Sequence, residues 1–183
     1  MSGAPQGRLR TTITWLEMAA PPAEPAPPDP PGFRVERLRQ VSVPFYRFLY
    51  DTVGAEYLWY ERRQLDDDAL AALLADPAVS VHVAFEGPTP AGFFELDRRH
   101  PTDIDLAYFG LLPDYVGRRL GRWFLRRAVD TAWAEKPRLL TVNTNSFDHE
   151  RALENYRRAG FVPVRRALHE FDDPRLNGLI DHR

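Results

Sequence analysis

Between residues 106 and 125 the chain reads LAYFGLLPDYVGRRLGRWFL, from Leu106 to Leu125. The first half is an apolar, β-prone run, and Pro113 ends it because proline has no amide to give a strand interior. Gly117 and Gly121 then bracket a pair of arginines. Leu120, Phe124 and Ala128 recur beyond them at helical spacing, with Trp123 beside them and Arg118, Arg122 and Arg126 turned to the opposite side. A strand that passes through such a turn into a helix leaves several backbone amides unpaired at the helix N-terminus, where they and the helix dipole favour a phosphate. A pyrophosphate suits this turn. The glycines allow close backbone approach, and Arg118, Arg119 and Arg122 add positive charge at short range.

Outward from this stretch the pattern is regular. Upstream, VSVHVAFEG from Val79, PAGFFELDRR from Pro90 and DIDLAYFGLL from Asp103 are strands, and the short turns between them predict an antiparallel meander. Before the meander, FRVERL from Phe33 alternates as a strand. VSVPFYRFLYDTVGAEYLWYERRQL follows with helical spacing broken near Gly54, and DDDALAALLADP from Asp66 is a short helix with acidic residues at its start. Downstream come a helix from about Gly121 to Glu135, a strand RLLTVNTN, a helix from about His149 to Ala159 and a last strand FVPVRRALHEF. Strands grouped early, followed by strand–helix–strand–helix–strand, predict a mixed α/β (α+β) fold, with a largely antiparallel sheet and helices on both faces. The tract PPAEPAPPDPP, Pro21 to Pro31, can form neither helix nor central strand and acts as a semi-rigid spacer. The TTITWLEM stretch before it is either an extra strand or a disordered tail. Residues 1–32 are thus expected to be an N-terminal extension and residues 33–183 the functional domain.

Composition excludes whole classes of function. At 183 residues and 21.0 kDa the chain can close one hydrophobic core, and its 44% hydrophobic content argues against disorder. With 24 basic and 26 acidic residues it has no overall field to hold nucleic acid or an anionic membrane, so neither is an expected partner. The absence of cysteine removes disulfides, thiolate nucleophiles and thiolate metal sites, and the five histidines show no ligand spacing, so no metal is expected. No G-x-S-x-G elbow is present. No apolar run reaches transmembrane length and none forms a signal sequence, which points to a cytoplasmic protein.

The turn Val116-Gly117-Arg118-Arg119-Leu120-Gly121 resembles the acyl-CoA motif Arg/Gln-x-x-Gly-x-Gly/Ala of the GCN5-related N-acetyltransferase superfamily, with Val116 at the Arg/Gln position and Arg119 at the first glycine. Ala152, Tyr156, Gly160 and Phe161 match the family's Ala-x-x-x-Tyr and Gly-Phe, and the resemblance extends over roughly Phe33 to Phe171. It implies a fold, a cofactor and an activity: acetyl-CoA as donor and transfer of its acetyl group to a primary amine by direct attack in a ternary complex. A non-catalytic acyl-CoA-binding or regulatory domain is the alternative.

The resemblance also implies roles. Phe109, Gly110 and Leu111 would pair with the pantetheine arm, the residues Val116 to Gly121 would hold the pyrophosphate, and His149 and Asn155 would complete the cofactor site. Tyr156 would protonate the leaving thiolate. An amine is mostly protonated at neutral pH and needs a base; Asp105 is the first candidate, Glu95 the second and His149 the third. Tyr57, Trp59, Tyr60 and Glu61 would line the acceptor side, where aromatic and acidic groups suit a cation.

Overall fold

The computed structural model describes residues 7–180. Its strands are β1 (Arg8–Met18), β2 (Phe33–Arg37), β3 (Val79–Glu86), β4 (Thr89–Asp97), β5 (Asp103–Leu111), β6 (Leu139–Asn145) and β7 (Val162–Asp172). The helices are α1 (Val43–Gly54), α2 (Asp67–Ala75), α3 (Gly121–Trp133) and α4 (Ala152–Ala159), with short 3-10 turns at Glu61–Gln64 and Pro113–Tyr115. One sheet takes the order β2-β3-β4-β5-β6-β1-β7. Every neighbouring pair is antiparallel except β5 and β6. The mixed sheet with helices on both faces is the fold the sequence predicts.

Side-chain alternation divides the core between the faces. Phe93 and Glu95 of β4 meet Tyr46 of α1, while Phe94 between them meets Phe124 of α3. The meander and the α3 crossover appear where the sequence places them. The YLWYERR stretch differs: it forms a loop and a 3-10 turn, because Leu58 takes a left-handed φ of 55° that interrupts the helix.

The TTITWLEM stretch is a strand, and it lies inside the sheet. β1 pairs with β6 from Ile13–Asn145 to Met18–Leu140 and with β7 from Arg8–Asp172 to Glu17–Val162. The boundary expected at residue 33 therefore runs between strands of a single sheet. Five strand spacings separate β1 from β2, about 24 Å at 4.8 Å each. The fourteen residues from 19 to 32 reach about 43 Å in polyproline form, so the tract can cross the sheet without secondary structure of its own. It crosses over α3, where Trp123 Nε1 and Arg127 Nε each donate to Asp29 at 2.8 Å and Arg126 donates to the Glu24 carbonyl at 2.6 Å.

Leu16 and Met18 of β1 are 0% and 3% exposed, so this strand contributes core as well as ladder. Truncating Leu16 to alanine should cost about 2–5 kcal/mol by urea denaturation. Removing residues 1–31 should abolish cooperative thermal unfolding followed by circular dichroism, since β7 then loses the strand that joins it to β6. A truncated chain melting within a few degrees of the full one would contradict this.

Candidate active site

β5 and β6 pair only at Asp103–Leu139, Ile104–Leu140 and Asp105–Thr141. Beyond Asp105 the two strands part, and a register shift against β4 leaves Ala107 as an extra residue in β5. This bulge lies upstream of Phe109–Leu111, and the β5 edge at those three residues is free because β6 has turned away. The gap opens at the C-terminal ends of two parallel strands, where ligands of open α/β sheets bind.

A cavity of about 720 Å³ fills this gap. At one end lies the turn into α3. Gly117 and Arg119 both adopt left-handed φ, 83° and 63°, and no side chain caps the helix. A β-carbon on Gly117 or on Gly121 would meet nothing within 4 Å. An uncapped helix start, open space at its glycines and the cavity-facing Arg119 and Arg122 form a cradle that fits the diphosphate of acetyl-CoA. Arg119 keeps the glycine-like geometry at a cost of about 1–2 kcal/mol. Phe109, Gly110, Leu111, Val116, Leu120, His149 and Asn155 line the same cavity. Arg118 does not. It pairs with Glu86 at 2.7 Å and lies over the Tyr115 ring, so its charge is spent on the outside of the turn.

Tyr156 lines the cavity, 8% exposed, with edge contacts to Phe109 and Phe161. Burial first, then the charges of Asp148 and Asp105, push its phenol above the usual tyrosine range. It therefore keeps its proton at any ordinary pH.

At the other end Tyr57, Trp59 and Glu61 line the cavity. Trp59 packs against the α1 C-terminus, where a β-carbon on Gly54 would stand 2.5 Å from that of Trp59. Tyr60 turns away and stacks on Phe171 at 5.2 Å. Neither favoured base lines the cavity. Glu95 is fully buried, taking Tyr46 Oη at 2.5 Å and Arg62 Nη2 at 2.6 Å, so its oxygens are committed to holding the fold. Asp105 stands at the apex of the gap and takes Thr141 Oγ1 at 2.7 Å. Burial holds its carboxyl above the usual aspartate range, with Asp97 and Glu95 adding to the effect against the Thr141 bond.

Sequence reasoning missed Asp148. It lines the cavity and takes Thr144 Oγ1 at 2.8 Å, the Asn145 amide at 2.9 Å and Trp59 Nε1 at 3.4 Å. Its signal was an aspartate three residues past a strand end, where the side chain folds back onto the backbone.

The model of the acetyltransferase (GNAT) family matches residues 36–161, and the chain belongs to that family. Among solved structures, a GCN5-related N-acetyltransferase from Sphaerobacter thermophilus superposes with a TM-score of 0.64 at 17% identity, over 88% of this chain and 51% of that one. A tandem GNAT protein from the clavulanic acid biosynthesis pathway gives 0.63 at 13% identity, over 90% and 53%. A GCN5-related N-acetyltransferase from Kribbella flavida gives 0.58 at 16% identity, over 94% and 63%. The chain thus spans about half the length of the first two. No curated protein sequence matches it. Among the described residues no helix is long and apolar enough to cross a membrane.

Two substitutions test the cradle by calorimetric titration with acetyl-CoA and by melting. Gly121→Glu places a carboxylate in the open space and should abolish binding while the fold persists. Arg119→Gly should relieve the left-handed arginine, raise stability by about 1 kcal/mol and change affinity less than tenfold.

Proposed function

We propose that this chain transfers the acetyl group of acetyl-CoA to a primary amine by direct attack in a ternary complex. The observation that supports this most is one cavity lined by the cationic, glycine-bearing turn into α3, by acidic and aromatic side chains and by Tyr156. Donor and acceptor then meet without a covalent enzyme species, which suits a chain that has no cysteine.

When bound, acetyl-CoA supplies an acyl thioester whose carbon accepts the amine nitrogen as the carbon–sulfur bond breaks, giving amide, free thiol and one proton. The turn from Val116 to Gly121 would hold its diphosphate, and the free edge of β5 at Phe109–Leu111 would align its arm. Asp148, at the acceptor end, takes the ammonium proton and passes it to solvent, freeing the nitrogen lone pair. Tyr156 gives its proton to the departing sulfur and recovers one from the nitrogen. Asp105, one layer behind, adds to the burial and the Asp148 charge that keep Tyr156 protonated. His149 meets the Tyr57 ring edge-on and so lies on the acceptor side. The backbone amides along β5 face the carbonyl oxygen as negative charge grows there.

Tyr156→Phe keeps the ring and removes the proton. Turnover should fall about a hundredfold or more with acetyl-CoA affinity nearly unchanged, measured by thiol release and by calorimetry. Because the Tyr156 phenol is held above its ordinary value of 10.0, the wild-type rate should show no loss from this group as pH rises to 10. Near-normal turnover of the Phe variant would return Tyr156 to a packing role.

A further inference from the structure

We propose that the acceptor carries two positive charges, with Asp148 receiving the nitrogen to be acetylated and Glu61 holding a second cationic group at the outer end of the same cavity. This rests on the acetyl-transfer reading and narrows its acceptor to a diamine-like class.

Arginines pair with carboxylates around much of this surface, yet among the described residues two of the three cavity acids, Asp148 and Glu61, have no cationic partner. Asp148 is held only by neutral donors: the Thr144 hydroxyl, the Asn145 amide and the Trp59 indole. Glu61 takes only the Tyr50 hydroxyl, at 3.2 Å. The nearest cation in sequence, Arg62, turns its guanidinium to Glu95 at 2.6 Å and over the Tyr108 ring. The third cavity acid, Glu150, already has Arg151 at 3.8 Å. Two carboxylates in one cavity are thus left to be balanced by what enters it.

They also lie apart. Asp148 belongs to the loop before α4 and acts on Tyr156, at the reacting centre, whereas Glu61 belongs to the 3-10 turn after the aromatic loop and acts on Tyr50 and Tyr108. Trp59 separates them, its indole N–H on the Asp148 side and its ring against Tyr50 and Tyr108 on the other. An aliphatic spacer can lie along that indole with a cation at each end, and Tyr57 beside it offers a second ring face. Arg119 and Arg122 sit at the far end, so the cavity is polarised along its length and a cationic acceptor is drawn to the end away from the cofactor phosphates.

The test uses the full chain with saturating acetyl-CoA, following thiol release with putrescine and cadaverine against butylamine and pentylamine. The diamines should show a kcat/KM at least tenfold higher, and the preference should shrink with added salt. Glu61→Gln should bring the ratio of diamine to monoamine to within about threefold. Equal kcat/KM on diamines and monoamines, with transfer intact, overturns the two-charge acceptor and leaves the acetyl-transfer reading standing. A preference that survives Glu61→Gln overturns the role of Glu61. Transfer to no amine by protein that still melts higher with acetyl-CoA overturns both readings.

Discussion

Two parallel strands that pair over three residues and then separate set the position of everything else at this site. Parallel strands need a crossover, and α3 supplies it, so the end of β5 runs directly into a helix start beside the gap. The same parting leaves one edge of β5 without a strand partner, admits Tyr156 from the α4 side and exposes the loop that carries Asp148. Had β5 and β6 stayed paired to their ends, the turn into α3, Tyr156 and the Asp148 loop would not share one cavity.

The part of the cavity lined by Trp59 and Glu61 depends on a buried polar network. Glu95 sits in the sheet at 0% exposure, and the 3-10 turn brings Arg62 onto it while Tyr46 donates from α1. A buried ion pair is a weak source of net stability, because desolvation offsets the attraction, yet breaking it costs about 3–5 kcal/mol. It instead enforces geometry. With Arg62 fixed downward onto Glu95, its neighbour Glu61 is left facing the cavity, and Tyr50 bonds both the Glu61 carboxylate and the Arg62 amide. A carboxylate that resembled a catalytic base in the sequence is the anchor of the turn that shapes the pocket.

What was legible in the sequence was local. Pro113, Gly117 and Gly121 announce a strand, a turn and a helix within sixteen residues of Leu106, and Tyr156 with Gly160 and Phe161 marks a helix end whose glycine takes φ 108°. What was not legible was set by partners distant in sequence. Arg118 and Arg119 read alike, but one finds Glu86 thirty-two residues upstream while the other bends to a left-handed φ and enters the cavity. Tyr60 leaves the pocket for Phe171, and Glu95 is claimed by Arg62. No periodicity encodes such pairings. For the same reason TTITWLEM could be recognised as β-prone without any sign that its neighbours lie beyond residue 138.

That placement of β1 has a consequence for how the chain is made. The strand is synthesised well before the residues it pairs with, from Leu140 to Asp172. Loop closure across so many residues is a slow route to a native contact, and an apolar strand waiting for its partners is exposed to wrong ones. The meander of β3, β4 and β5 can form while synthesis continues, since its contacts are close in sequence. β7 lies at the sheet edge with β1 as its one neighbour, so the sheet is complete only after β1 has docked on β6 and residue 172 has been made. The proline tract then acts as a leash: too stiff to collapse and long enough to cross the sheet, it holds the waiting strand within reach of β6.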